Sequence, residues 1–233
     1  MSNLILDCSK VCKKYGKHKA LDELSLQVKT GEIMALVGPN GAGKTTLIKC
    51  IVGLLHNDSG RISIYGKTPS FKTKNYIAYL PDDKFLYQWM TINEAINYYE
   101  KAFEDFNSKK AKKIIKGFNL SLKQKIGACS KGMQEKLNMA LTLSRDAKLY
   151  VFDEPLAAVD PLTREDIIQL IKTNFSNSDS SLLISTHLIR DVEELFTNIA
   201  FITDGKVILS DSTLHLKENN TGDLEDIFKE IMK

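Results

Sequence analysis

Gly38-Pro-Asn-Gly-Ala-Gly-Lys-Thr45 is the stretch on which the reading of this 233-residue chain turns. An apolar run, Ile33-Met-Ala-Leu-Val37, leads into it, and a helix-like run, Thr46-Leu-Ile-Lys-Cys-Ile-Val-Gly53, follows. Strand, glycine-rich loop, helix is the setting in which a phosphate cradle works. Glycines at 38, 41 and 43 let the backbone turn tightly and point N–H groups inward. The helix start adds partial positive charge. Lys44 can reach the β- and γ-phosphates as a point charge, and the Thr45 hydroxyl can ligate Mg²⁺. The expected phosphate-binding set is Gly38, Pro39, Asn40, Gly41, Ala42, Gly43, Lys44, Thr45 and Thr46. These residues point to a bound nucleoside triphosphate.

Outward from the loop, alternation around Leu4–Leu6 and Leu24–Val28 predicts two strands with a turn at Tyr15-Gly16. Asp58-Ser-Gly60 reads as a turn, followed by strands at Arg61–Tyr65 and Tyr76–Leu80. From Thr91 to about Arg145 helical periodicity takes over, in Ile92–Phe103, Ala111–Phe118 and Met133–Ser144. Strands return at Lys148–Phe152, Ser181–Ser185, Ile199–Thr203 and Lys206–Leu209, the last two joined by an Asp204-Gly205 hairpin turn. Helices are expected at Pro161–Phe175, Leu188–Phe196 and Asp223–Met232, with Asp160 capping the first and residues 218–222 as a loop before the last. The layout is an α/β nucleotide-binding core interrupted by helices.

Composition narrows the classes. A 43% apolar fraction is enough for a packed interior, and 26% charged residues suit a soluble surface. A net charge of +3 is too small to argue for nucleic acid. The lysine-rich run Lys109-Lys-Ala-Lys-Lys113 reads as the outer face of a helix. Cysteines 8, 12, 50 and 129 form no CxxC pair, which speaks against zinc and for reduced thiols. The N-terminus lacks the basic and apolar regions of a signal peptide, and no window approaches the roughly 20 apolar residues of a membrane span. Work on a membrane would need a partner.

Lys148-Leu-Tyr-Val-Phe-Asp153-Glu154 is an apolar strand ending in two acids. Ligands bind at strand ends in sheets of this kind. Asp153 is placed to hold Mg²⁺, and Glu154 to polarise an attacking water.

With these residues in place, nearly the whole chain resembles the ATPase subunit of ATP-binding-cassette (ABC) transporters. Ser130-Lys-Gly-Met-Gln134 stands where that family carries its signature sequence. Ala157-Ala-Val-Asp160 resembles its D-loop, and Ser185-Thr-His187 its switch-histidine loop. Tyr15 sits where the family stacks an aromatic ring on adenine. The resemblance implies a P-loop NTPase (RecA-like) core with an N-terminal antiparallel β subdomain (about 1–83 and 147–233 together) and an inserted α-helical subdomain (about 84–146). It implies ATP and Mg²⁺ as cofactors and Lys44, Glu154 and His187 as catalytic residues. Ser130 and Gly132 would serve ATP bound by the opposite subunit, and Asp160 would couple the two sites. The active unit is then a head-to-tail dimer, of identical or related chains, at the cytoplasmic face of the membrane beneath a permease.

Two positions depart from the family pattern. Lys131 replaces a glycine and adds a donor near the partner's phosphates. Asp82, after Tyr79-Leu-Pro81, replaces a glutamine that touches Mg²⁺; a carboxylate can still ligate the ion but cannot donate a hydrogen bond at neutral pH. Metal contacts are thus expected from Thr45, Asp153 and Asp82. The acidic residues at 82–83, with Ser130-Lys-Gly-Met133 and Thr186-His-Leu188, resemble the bacitracin-type and acetoin-operon-type (YtrB-like) exporter branch, which implies antimicrobial or amphipathic peptides as cargo. The competing expectations are a soluble ABC-type ATPase acting on ribosome or DNA, and an ATP-binding regulator without transport.

Overall fold

A computed structural model describes residues 4–83, 85–157, 159–176, 179–190, 193–220 and 222–231. Strands β1 (Leu4–Tyr15) and β2 (His18–Lys29) form a hairpin that turns at Gly16. Strand β3 (Ile33–Val37) enters the glycine loop, and α1 (Lys44–Ile51) leaves it. After β4 (Ser59–Ile64) and β5 (Ile77–Leu80) come three helices, α2 (Ile92–Ala102), α3 (Ser108–Gly117) and α4 (Lys131–Leu143). The rest is β6 (Leu149–Asp153), α5 (Pro161–Phe175), β7 (Ser181–Thr186), β8 (Asn198–Thr203), β9 (Lys206–Ser212), α6 (Thr213–Asn219) and α7 (Leu224–Ile231).

The strands make two sheets, an antiparallel one in the order β2-β1-β4 and a larger one in the order β5-β6-β7-β3-β8-β9. All pairs in the larger sheet are parallel except β8–β9. Its central strands read as continuous apolar runs because both faces are covered. Side chains alternate along each pleat. Met34, Leu36, Leu149, Val151 and Leu183 enter one core, with the small sheet and α1. Ala35, Val37, Tyr150, Phe152 and Ile184 enter the other, with α5 and α7. A third core joins α2 and α3 to α4, which also feeds Met139 and Leu143 into the second. Among the described residues no helix is long and apolar enough to cross a membrane.

Parallel register brings the candidate site to one edge. Leu80 lies opposite Phe152, Asp153 opposite Ser185, and Val37 opposite Thr186. The loops beginning at Gly38, Pro81, Glu154 and His187 therefore leave the sheet side by side. Three sequence expectations change. Asp58 alone forms the bend, since β4 already begins at Ser59. Leu188–Phe196 is not a helix among its described residues, only a short 3-10 turn at Glu193–Leu195; residues 191 and 192 lie outside them. The loop expected over 218–222 is shortened by α6, which Ser212 caps by accepting from His215 N–H at 3.1 Å. Met232 and Ala158, at the ends or middle of other expected stretches, also lie outside the described residues.

The β8–β9 turn at Asp204-Gly205 supports the glycine loop from beneath. Gly205 N–H donates to the Ala42 carbonyl at 3.1 Å, and its carbonyl accepts from Asp22 N–H at 3.0 Å. Its φ is +73°, and a Cβ there would lie 2.7 Å from the Ala20 carbonyl oxygen and 2.9 Å from Leu21 Cα. Those are backbone atoms and cannot step aside. Gly205→Val is expected to cost about 1–3 kcal/mol, which lowers the thermal midpoint by roughly 2–4 °C per kcal/mol. Circular-dichroism melting checks this; an unchanged midpoint would show that the turn is not clamped.

Candidate functional site

Gly43, with φ +106°, turns the chain into α1 and brings Lys44 back under the loop. The Lys44 ammonium is buried, 6% exposed, and donates to the carbonyls of Gly38 at 2.7 Å and Pro39 at 3.2 Å. Its charge is met by Glu154 Oε1 at 3.2 Å. A buried ammonium needs such an anion, because desolvation leaves its charge otherwise uncompensated. In this arrangement the chain's own carboxylate supplies the anion at the centre of the cradle.

Glu154 is held in a sparsely populated backbone region, φ +49°, at the end of β6. Ser185 stabilises that turn from the neighbouring strand. Its hydroxyl accepts from Glu154 N–H at 2.9 Å and donates to Asp153 Oδ1 at 2.7 Å. The Thr45 hydroxyl donates to the same Asp153 oxygen at 3.2 Å. Among the described residues Asp153 Oδ2 is buried with no hydrogen-bond partner. Burial pushes the Asp153 carboxyl above its ordinary value, against the pull of the Ser185 and Thr45 hydroxyls, with Asp82 and Glu154 adding like charge. On the far side of Glu154, its Oε2 lies 2.9 Å from His187 Nδ1. Lys44, Glu154 and His187 thus form one chain of contacts. Ser185 ties that chain to the Asp153–Thr45 pair.

Around the loop is a cavity of about 330 Å³ lined by residues 39–46, Glu154, Asp82, Tyr15, His18 and Ala20. Tyr15, half-exposed, and His18 stand at the two ends of the β1–β2 turn and border it together. His18 was given no role by the sequence; its place depends on the hairpin folding back. Asp82 is exposed at the cavity edge, beside Asp153 in the field if not in contact.

Ser130, Gly132 and Asp160 form a separate group, and none of them lines this cavity. Ser130 caps α4 by accepting from Met133 N–H at 3.2 Å. Asp160 caps α5, accepting from Thr163 N–H at 3.0 Å and its hydroxyl at 2.7 Å, which holds its carboxyl below the usual range. The two helix starts touch: a Cβ at Gly132 would lie 2.6 Å from the Thr163 hydroxyl and 3.2 Å from Asp160 Oδ2. One chain therefore carries a complete cradle and, apart from it, a pair of adjoining helix N-termini with Ser130 exposed.

The ABC transporter family profile matches residues 21–157. The chain is 32% identical over 215 residues to the lipopolysaccharide export system ATP-binding protein LptB of Haemophilus influenzae, covering 88% of this chain and 89% of that one. It is 30% identical over 210 residues to the SkfA peptide export ATP-binding protein SkfE of Bacillus subtilis, covering 88% and 87%. Other relatives are longer; the chain spans 60% of one and 32% of another. Among solved structures, an ATP-binding subunit of an ABC transporter superposes with a TM-score of 0.88 at 24% identity, covering 98% and 100%. A dimeric, post-hydrolysis ATP-binding cassette bound to ADP and Pi superposes at 0.77 with 23% identity, covering 89% and 98%. Both share the fold. The chain belongs to the ABC transporter family and is an ATP-binding, ATP-hydrolysing cassette.

The buried Asp153 carboxyl makes a pH-dependent prediction. Its pKa is raised on folding, so its contribution to stability is fully present below the ordinary carboxylate range and is lost as pH rises through the raised value. At pH 7 the ionised group is a cost. Asp153→Asn should raise the melting midpoint of the nucleotide-free protein at pH 7, with the gain shrinking as pH falls towards 4. A gain that is absent at pH 7, or that grows on acidification, would contradict this electrostatic account.

Proposed function

We propose that this chain is the ATP-hydrolysing subunit of an exporter, paired with an identical or related cassette and docked beneath a membrane permease at the cytoplasmic face. The observation that carries the reading is the Lys44–Glu154–His187 chain of contacts at the mouth of the glycine loop. Each member has a task only when a phosphate arrives. The β- and γ-phosphates of ATP take the position on Lys44 that Glu154 Oε1 now holds, and loop N–H groups surround them. Glu154, released from Lys44, accepts a proton from the attacking water. His187, engaged through Nδ1, keeps its other ring nitrogen for the γ-phosphate. Tyr15 and His18 flank the nucleoside end of the cavity.

The donor set also fits Mg²⁺. The unpartnered Asp153 Oδ2 and the adjacent Thr45 hydroxyl are hard oxygen donors, one of them a buried carboxylate without a countercharge, and Asp82 adds a second acid nearby. When bound, the ion would neutralise charge on the β- and γ-phosphates. Most of the rate comes from positioning and fixed charges rather than covalent chemistry.

Ser130, Gly132 and Asp160 lie outside the cradle's cavity, so they have no γ-phosphate of their own chain to serve. They suit ATP held by a second cassette, as the resemblance to the family implies. Movement would pass through the segment 82–93 and the helices of residues 84–146 to the permease. An apolar groove of about 200 Å³ between Leu54, Tyr79, Tyr99 and Phe103 adjoins those helices and suits a helix of that partner. A peptide cargo is the reading favoured by the likeness to SkfE.

Glu154→Gln is expected to bind ATP while releasing phosphate about a hundredfold more slowly or worse, the usual scale for a positioned base. A coupled phosphate-release assay with nucleotide titration checks both halves. Near-normal release would remove Glu154 from its role.

A further inference from the structure

The lysine run singled out in the sequence has no part in the nucleotide site. Helix α3 buries Ala111 and Ile115 and exposes Lys109, Lys112, Lys113 and Lys116 on the opposite face. That spacing, i, i+3, i+4 and i+7, lines all four up on one stripe about 10 Å long. Solvated helix faces commonly interleave acids with lysines, as in the Lys229–Glu225 pair of α7. Here each lysine instead has another lysine three or four residues away, an arrangement that destabilises an isolated helix.

The imbalance extends beyond α3. Residues 108–134 contain eight lysines and no acid, while the remainder of the chain carries more acids than bases. Elsewhere several lysines do find acids, as in Lys13–Asp58, Lys19–Asp22, Lys172–Glu194 and Lys217–Glu193. Among the described residues none of the four stripe lysines has an acid within 4 Å. The fold keeps this charge unbalanced and in water.

We propose that the α3 lysine stripe rests on the acidic headgroup surface of a lipid bilayer, beside the permease. This rests on the reading of the chain as a membrane-docked cassette. Charge complementarity selects the occupant, and what the stripe lacks narrows it. No large hydrophobic residue is exposed in residues 108–134, so there is no aromatic platform for stacked bases and no wedge to enter the acyl layer. Four strongly hydrated ammonium groups on flexible stems suit many mobile phosphates on a plane better than one fixed planar acceptor. Contact is electrostatic, at headgroup level and sensitive to salt.

The test is co-sedimentation of the full chain with phosphatidylcholine vesicles containing none or about a third phosphatidylglycerol, at low and physiological ionic strength. Wild type should partition onto the acidic vesicles alone, and less so as salt rises. Each lysine removed is expected to reduce partitioning about fivefold, so K109Q/K112Q/K113Q/K116Q should lose it by about a hundredfold or more. The same samples, assayed for phosphate release without vesicles, should match wild type, which reads the nucleotide site separately and shows that the variant is folded. Equal partitioning onto neutral vesicles would overturn the proposal, as would a quadruple variant that partitions like wild type. Tighter binding of wild type to single-stranded RNA or to duplex DNA than to acidic vesicles, lost in the variant, would overturn it in favour of nucleic acid. Absence of phosphate release from wild type would count against the motor reading alone.

Discussion

The buried positive charge of Lys44 organises the site of this molecule. The Lys44 ammonium is carried inside by the turn at Gly43 and cannot stay there unpaired. Two loop carbonyls satisfy its donors, and Glu154 supplies the opposite charge. Glu154 can reach it only because β6 ends where it does. That in turn depends on Ser185, across the β6–β7 pairing, holding the strained turn. The same hydroxyl fixes Asp153 against Thr45. In the proposed mechanism ligand and Glu154 would compete for this one ammonium, and arrival of the phosphates would free the carboxylate.

The sheet explains why so few residues suffice. Four parallel strands end at a common edge, and each delivers one part of the cradle from an adjoining loop. Helices α4 and α5 begin outside the cavity at that edge, with Ser130 and Asp160 as their caps. A cap residue satisfies its own helix, yet its helix start still presents N–H groups and positive potential to whatever faces it. In the proposed pair of cassettes the fitting object would be a triphosphate on the second subunit.

Local chemistry was legible in the sequence, and long-range geometry was not. The glycine loop could be read because its function is written in adjacent residues with a strand before and a helix after. The hairpin at Asp204-Gly205 and the Asp160-Pro161 helix start were legible for the same reason. Ser185 is different: its importance arises from register with Asp153, 32 residues away. His18 likewise gains its place only when β1 and β2 fold back. The apolar spacing of Leu188–Phe196 suggested a helix, but Ile189, Leu195 and Phe196 reach the second core from an irregular segment. The Thr186 hydroxyl accepts from Leu188 N–H, and Arg190 is drawn to Asp223 and Glu225 at the start of α7. Helix α6 did have a readable signal, the Ser212 cap three residues before His215.

The central claim is that each chain holds half of a working site. Light scattering of the Glu154→Gln protein measures it most directly, since slow turnover leaves ATP in place. Saturating ATP should convert a monomer of 26.2 kDa into a particle of twice that mass, while ADP should not. A particle that keeps the monomer mass at saturating ATP would contradict the account.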